Sequence, residues 1–327
     1  MCRRSNWTYS RTIYLTTMIN KDYLYVRRYE DCTKFEIIDD SLYLYCVDVE
    51  DRSKMCVSHL SSKYPNTNFV ELEYIQEDEV RVLELNETFK LKSDVEIMGL
   101  IERYEKNRVY LEVSGMSNRL SAPLLKRALK LNKEVHVIYA EPDAYDPDVF
   151  RQNGLFENHP KQYDGIKPLP SLAGMSDDDD RFLFVALLGF EGGRFAYLLD
   201  NMQPMDDRVL PVLGVPGYRM EYPFVSFWGN QSALLRSNAK DKIRYAAANS
   251  IVDAYLLLKR LFEDNHRRRM MIAPIGTKPH CIAAILFAIK QDRNVEVVYD
   301  NPIHTVKLTK GLGAITDCDV SKLINEN

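Results

Sequence analysis

The chain lacks an uninterrupted apolar run of the roughly 20 residues that a bilayer-spanning helix needs; its longest runs, such as the one at 182–188, are far shorter. A transmembrane helix is therefore not expected. The six cysteines, Cys2, Cys32, Cys46, Cys56, Cys281 and Cys318, include no C-x-x-C pair, which argues against a zinc site and against a compact disulfide framework. Neither sign of charge dominates: 43 basic side chains stand against 47 acidic ones, so no global field draws the chain to DNA, RNA or anionic lipid. The opening "MCRRSNWTYSRTIYLTTM" has basic residues but no continuous apolar stretch of the kind a secretory leader carries. The expected location is the cytoplasm. Neither G-x-x-x-x-G-K-[ST] nor G-x-G-x-x-G occurs, which leaves a Walker-type ATPase and a classical dinucleotide site without support.

What is present is a chain of 327 residues, 46% of them hydrophobic, enough to bury the core of two domains or one large α/β unit. Residues 1–40 mix aromatic and charged side chains in weak alternation and read as a small β-rich lead-in. From residue 41 strand-like and helix-like segments alternate. Strands are expected at 41–50, 68–74, 108–115 and 134–142, and helices at 51–64, 95–106 and 121–132, the pattern of parallel βαβ units. Residues 151–181, with their prolines, glycines and four consecutive aspartates at 177–180, read as a linker. The alternation then resumes over 182–327, with strands at 181–190 and 208–217, a helix at 191–202, a long helix at 239–265 and a strand-turn-helix-strand over 267–302. The predicted fold is α/β: two tandem Rossmann-like halves, 41–150 and 182–327, made by internal duplication. In that alignment Glu50 matches Glu191, Gly115 matches Gly276 and Tyr139 matches Tyr299, and the longer insertion of the second half falls in its long helix.

Two turns carry the functional signal. "SGMSNR" at 114–119 and "IGTKPH" at 275–280 each follow an apolar strand and open a helix. Unpaired N–H groups and the helix dipole favour an anion at such a place, and ligands of open parallel sheets bind at the carboxyl ends of strands. Ser114, Ser117 and Thr277 offer hydroxyl donors, and Arg119 and Lys278 offer positive charge. The plain structural reading is that such turns need a glycine and an N-cap regardless of any ligand. Pro279 suits a first helical turn, where its missing N–H costs nothing. His280 beside it is a candidate proton carrier. A second constellation pairs Glu50 with Arg52 and Glu191 with Arg194: carboxylates that could bind a ribose hydroxyl or base, and guanidinium groups that could hold phosphate. Their plain reading is a helix-start acid with a local ion pair. The acidic stretch "AEPDAYDPD" at 140–148 lacks EF-hand spacing, so no metal is predicted. The aromatic stretch "EYPFVSFWGN" at 221–230 reads as core or interface, with base stacking as the sharper alternative.

At "SGMSNRLSAPLL" and "IGTKPHCIAAIL" the sequence resembles the small-residue, basic, helix-opening turn of CRISPR-associated Rossmann fold domains and of the related SAVED domains, in which two such units are fused. The resemblance covers residues 41–305 in outline. It implies a pocket for a cyclic oligonucleotide, and it nominates Ser114, Gly115, Met116, Ser117 and Arg119 in one half and Gly276, Thr277, Lys278 and Pro279 in the other. The first turn lacks the Thr-Lys of the second, so a ligand would meet two unequal halves. No HEPN-type R-x-x-x-x-H, nuclease PD-(D/E)-x-K or TIR-like block accompanies the turns, which implies that any effector is a separate chain.

The expectation is a nucleotide-type sensor or scaffolding subunit of a bacterial antiviral defence assembly, with no cofactor and no membrane attachment. One alternative is an enzyme cleaving a glycosidic or phosphodiester bond in the same pocket, with Glu50 or Glu191 as its catalytic carboxylate and His280 moving a proton. The other is a structural subunit whose turns bind nothing.

Overall fold

The chain's computed structural model describes residues 21–47, 52–76, 78–145, 165–172, 182–301 and 309–327. Eight strands form one sheet: Val26–Tyr29 (β1), Leu42–Cys46 (β2), Asn68–Ile75 (β3), Glu79–Val82 (β4), Glu87–Lys90 (β5), Arg108–Glu112 (β6), Glu134–Ala140 (β7) and Ile315–Asp319 (β16), in the order β1-β16-β7-β6-β2-β3-β4-β5. The central four strands are parallel, and the flanking strands on both sides are antiparallel. Helices Arg52–Lys63 (α1), Asp94–Glu102 (α2) and Asn118–Lys130 (α3) connect the parallel strands.

A second sheet holds Lys167–Pro168 (β9), Leu183–Leu187 (β10), Val209–Gly214 (β11), Arg244–Ala246 (β12), Met270–Pro274 (β13) and Val295–Tyr299 (β14), ordered β12-β11-β10-β13-β14-β9 and parallel except for β9. Its helices are Gly192–Met202 (α4), Tyr222–Arg236 (α5), Ile251–Asp264 (α6) and Lys278–Gln291 (α7); Val320–Glu326 (α8) closes the chain. Ala144–Tyr145 (β8) and Thr309–Lys310 (β15) make a two-stranded ribbon. In each sheet the first parallel strand lies centrally. The chain runs to one side of it and then returns to the other, so the strand order reverses between β2 and β6 and between β10 and β13.

Side-chain alternation sets the layers. Leu42, Leu44 and Cys46 of β2 and Leu183, Val185 and Leu187 of β10 enter one continuous core that fills the space between the sheets with residues of α3, α6 and α7. Tyr43 and Tyr45 face a smaller core under α1, while Phe184 and Ala186 face another under α4 and α5. Strands covered on both faces read as unbroken apolar runs, and β2, β10 and β13 are buried at every position. Within the shared core Tyr255 and Phe262 of α6 meet Phe287 of α7 edge-on, with centroids 5.7 Å apart, contacts that add about 0.5–1.5 kcal/mol each beyond area burial. The glycines of "GFEGG" have a packing role: a Cβ on Gly192 would stand 1.7 Å from the main-chain oxygen of Gly229, so α4 and α5 cross with backbones touching.

Two expectations are corrected, and one hairpin is new. The long helix at 239–265 is instead a 3-10 turn, the edge strand β12 and α6, because the Ser250 hydroxyl accepts from the Asp253 N–H and starts a new helix there. The second half does not keep all of 182–327: β16 crosses to the first sheet and pairs with β7 and β1, where its Ile315, Thr316, Asp317 and Cys318 are buried. The hairpin β4–β5 was not anticipated; its turn includes Asn86 at φ 53°, a left-handed conformation that asparagine tolerates. The described part of the lead-in supplies a 3-10 turn and β1, and the described part of the 151–181 linker includes β9, which joins the second sheet at β14.

Candidate functional site

Both strand-to-helix turns open on one cavity of about 340 Å³ between the two sheets' carboxyl ends. After β6 the chain turns through Ser114 to Ser117, whose hydroxyl caps α3 by accepting from the Leu120 N–H at 3.3 Å. The Ser114 hydroxyl accepts from the Ala140 N–H at 2.8 Å and ties the turn to β7. After β13 the Thr277 hydroxyl donates to the Ala248 oxygen at 2.6 Å, while His280 N–H donates back to it. Gly276 is required by close approach: a Cβ there would stand 2.8 Å from the Leu188 oxygen and 2.9 Å from that of Leu187. The two turns are joined directly, because Lys278 Nζ donates to the Met116 oxygen at 2.6 Å.

Of the residues nominated from sequence, Ser114, Met116, Ser117, Arg52, Glu191 and Arg194 line the cavity, as do Gly276, Thr277 and Lys278. Glu50 lies outside the described residues. Gly115, Arg119, Pro279 and His280 do not line it. Arg119 grips Asp78 with two bonds of 2.6 and 2.7 Å and reaches Asn301 at 3.1 Å, so its role is to bind the first sheet to the segment after β14. His280 is fully buried, with Nε2 3.0 Å from the Ala247 oxygen, and burial lowers its pKa. That position removes it as the proton carrier. Arg194 also departs from the phosphate-binding reading: it makes two bonds of 2.6 and 2.7 Å to Asp300, which is fully buried, and a third of 3.2 Å to Glu191. It is an ion-paired wall of the site.

The wall also contains a set of aromatic residues, of which the sequence patterns offered Tyr222 alone, within the stretch at 221–230, as a candidate for base stacking. Tyr139, Tyr145, Tyr218, Tyr222 and Tyr299 all line the cavity, with Phe190 among them. Tyr145, Phe190 and Tyr222 pack edge-to-face with centroids 5.2 to 5.7 Å apart. The guanidinium of Arg52 stands 5.9 Å from the Tyr139 centroid and that of Arg194 stands 5.8 Å from Tyr299, so an arginine stands over a tyrosine near the carboxyl end of β7 and over the one at the end of β14. Arg52 also donates to the Ala140 oxygen at 2.6 Å. In sequence, Tyr139 and Tyr299 stood out by their matched positions in the expected repeat, while Tyr145 and Tyr218 carried no signal.

At the end of β6 lies Glu112, only 1% exposed, with one carboxylate oxygen accepting from the Ser114 N–H at 3.1 Å. Burial pushes its pKa up to about 7, against the opposing effects of Ser114, Arg52 and Lys278. Charge in and around the cavity is thus dominated by Lys278, Arg52 and the ion-paired Arg194. With helix N-termini converging from α3, α4 and α7, the arrangement suits an anion bearing an aromatic group.

A separate cluster can be considered for metal. Glu134, His136 and Asp319 bring ligand atoms within 4.8 Å of one another at the far end of the first sheet. Each has other work: Glu134 pairs with Arg108, His136 meets Asp317 at 2.7 Å, and Asp319 caps α8. In the acidic stretch at 140–148, Glu141 is buried and paired with Arg28 at 2.8 Å. Among the described residues no helix is long and apolar enough to cross a membrane.

No family model and no curated protein matches the chain. Two solved structures align over much of its length: a universal stress protein from Pseudomonas aeruginosa UCBPP-PA14, 9% identical over 80% of this chain and 82% of that one with a TM-score of 0.25, and Haemonchus contortus phosphoethanolamine N-methyltransferase 1 in complex with phosphoethanolamine and S-adenosylhomocysteine, 7% identical over 86% and 88% with a TM-score of 0.20. Scores at this level carry nothing about fold or function to this chain.

Proposed function

We propose that this chain is a ligand-binding sensor whose two Rossmann-like halves arose by internal duplication and close around one small nucleotide-type anion. The observation that carries the reading is that the turns at 114–119 and 275–280 line a single cavity and are bridged by Lys278. The shared strand order around β2 and β10, and the paired placement of Arg52 over Tyr139 and Arg194 over Tyr299, support the duplication. Lys278, Arg52 and the helix N-termini would hold phosphate, and the tyrosines would stack on a base. A cavity of about 340 Å³ suits a compact ligand, near the low end of the ~300–1,000 Å³ typical of small-molecule sites. The resemblance to CRISPR-associated Rossmann fold and SAVED domains suggests a cyclic oligonucleotide, for which this cavity would have to widen.

The placement of α5 supports a sensing role. Its Tyr222 and Ser226 face the cavity, whereas Phe224 and Trp228 are 72% and 65% exposed on its outer side. A ligand that moves α5 would present or withdraw an apolar surface for a separate effector chain of a defence assembly. The hydrolytic alternative is less well served: His280 is turned away, and Glu191 is paired with Arg194.

The test is a thermal-shift and calorimetric screen of the chain against mono-, di- and cyclic oligonucleotides, with mass analysis of the recovered ligand. Binding with the ligand returned intact supports the sensor. A ligand returned cleaved moves the assignment to an enzyme, and absence of binding to folded protein removes the pocket from the account.

A further inference from the structure

Away from the cavity, the outer face of the first sheet holds an arrangement that the ligand-binding reading does not use. Cys32 lies in the turn after β1 and is partly exposed, while Cys56 lies on α1 and is 2% exposed. Both are free thiols, and their sulfurs are immediate neighbours, within reach of a bond. They share a core with Phe35, Tyr43 and Tyr110. The hydrogen bond from Cys56 lowers the Cys32 pKa, and the same bond together with burial raises that of Cys56. The charge of the buried Glu112 bears on both thiols, and one of its carboxylate oxygens has no hydrogen-bond partner.

We infer that Cys32 and Cys56 form a reversible dithiol–disulfide pair that reacts with low-molecular-weight disulfides of the glutathione type. The accessible Cys32 thiolate attacks one sulfur of glutathione disulfide, forming a mixed disulfide and releasing one glutathione. The Cys56 sulfur then displaces the second glutathione, forming the bond to Cys32. Two protein thiols lose two electrons and two protons, and glutathione disulfide takes them up as two thiols. The Cys56 proton leaves on the second glutathione, whose departing thiolate takes it up. The product joins the β1–β2 connection to α1, whose first residue, Arg52, lines the cavity. The order of attack follows from access: Cys32 is reached from solvent and Cys56 is not. This inference is independent of the ligand.

The experiment incubates the full chain with increasing ratios of oxidised to reduced glutathione, quenches in acid, alkylates under denaturing conditions and maps the peptides without reduction. The expected result is a Cys32–Cys56 cross-linked peptide that disappears with dithiothreitol, while Cys46, Cys281 and Cys318 are recovered alkylated. Closing this loop is expected to raise Tm by roughly 5 °C. In Cys56→Ser, Cys32 should accumulate as the glutathione adduct; in Cys32→Ser, Cys56 should remain a thiol. Recovery of both cysteines alkylated at the most oxidising ratio overturns the inference, as does a Cys56 that reacts equally well without Cys32.

Discussion

Lys278 Nζ donates to the main-chain oxygen of Met116 at 2.6 Å, so the turn that ends β13 is held against the turn that ends β6. One side chain thereby supplies the cavity with charge and fixes the spacing of its two walls. Lys278→Ala should lower ligand affinity at least tenfold and, through loss of a charge-assisted bond, cost about 1.5–3 kcal/mol of stability. Calorimetry and denaturant unfolding of the variant measure the two effects separately.

Arg194 should behave as a structural residue. Its removal leaves Asp300 buried without the guanidinium that pairs with it, a situation that costs about 3–5 kcal/mol. Arg194→Ala should be strongly destabilised, and Arg194→Ala with Asp300→Ala much less so. A double-mutant cycle by urea unfolding checks this, and additive losses would show that the pair is not coupled.

His280 gives the contrast. Because its ring is buried against the Ala247 oxygen, His280→Ala should lower Tm while leaving ligand chemistry unchanged. A variant that keeps its stability but loses turnover of a nucleotide would return His280 to a catalytic role.

Glu112 predicts a pH dependence. Its folded pKa of about 7 lies above the ordinary 4.5, so the folded state binds the extra proton between these values. The stabilisation is fully present below about pH 4.5 and is lost as pH rises through about 7, amounting to at most about 3 kcal/mol. Tm of the wild type should therefore fall more steeply between pH 5 and about 8 than that of Glu112→Gln. Equal slopes would contradict the assignment.

The apolar outer face of α5 should matter for partners alone. Phe224→Ser with Trp228→Ser changes exposed residues, so stability should move by no more than about 0.5 kcal/mol. Ligand affinity should be kept while co-purification of a partner chain is lost. Retained co-purification would place the partner elsewhere.

The parallel strands other than β12 and both cavity-lining turns were legible because their signals are local: an apolar run, small residues and a helix start within a dozen positions. Pairing over long separations left no such mark. Ile315–Asp319 was not assigned a strand from sequence, and its partners are Val26–Tyr29 and Glu134–Ala140 in the other sheet. The same limit applies to charge. Arg119 and Arg194 were visible as arginines near helix starts, but Asp78 and Asp300, which occupy them, are 41 and 106 residues away. Tyr139 and Tyr299 were not assigned to the cavity because an aromatic residue near a strand end has the same pattern whether it faces core or cavity.

The central claim is that both halves face one ligand. Calorimetric titration of the wild type beside Ser117→Trp, which fills the cavity from the first turn, and Thr277→Trp, which fills it from the second, tests this most directly. One ligand per folded chain, lost in both variants, is the predicted result. Two ligands per chain, or binding that survives in either folded variant, would contradict it.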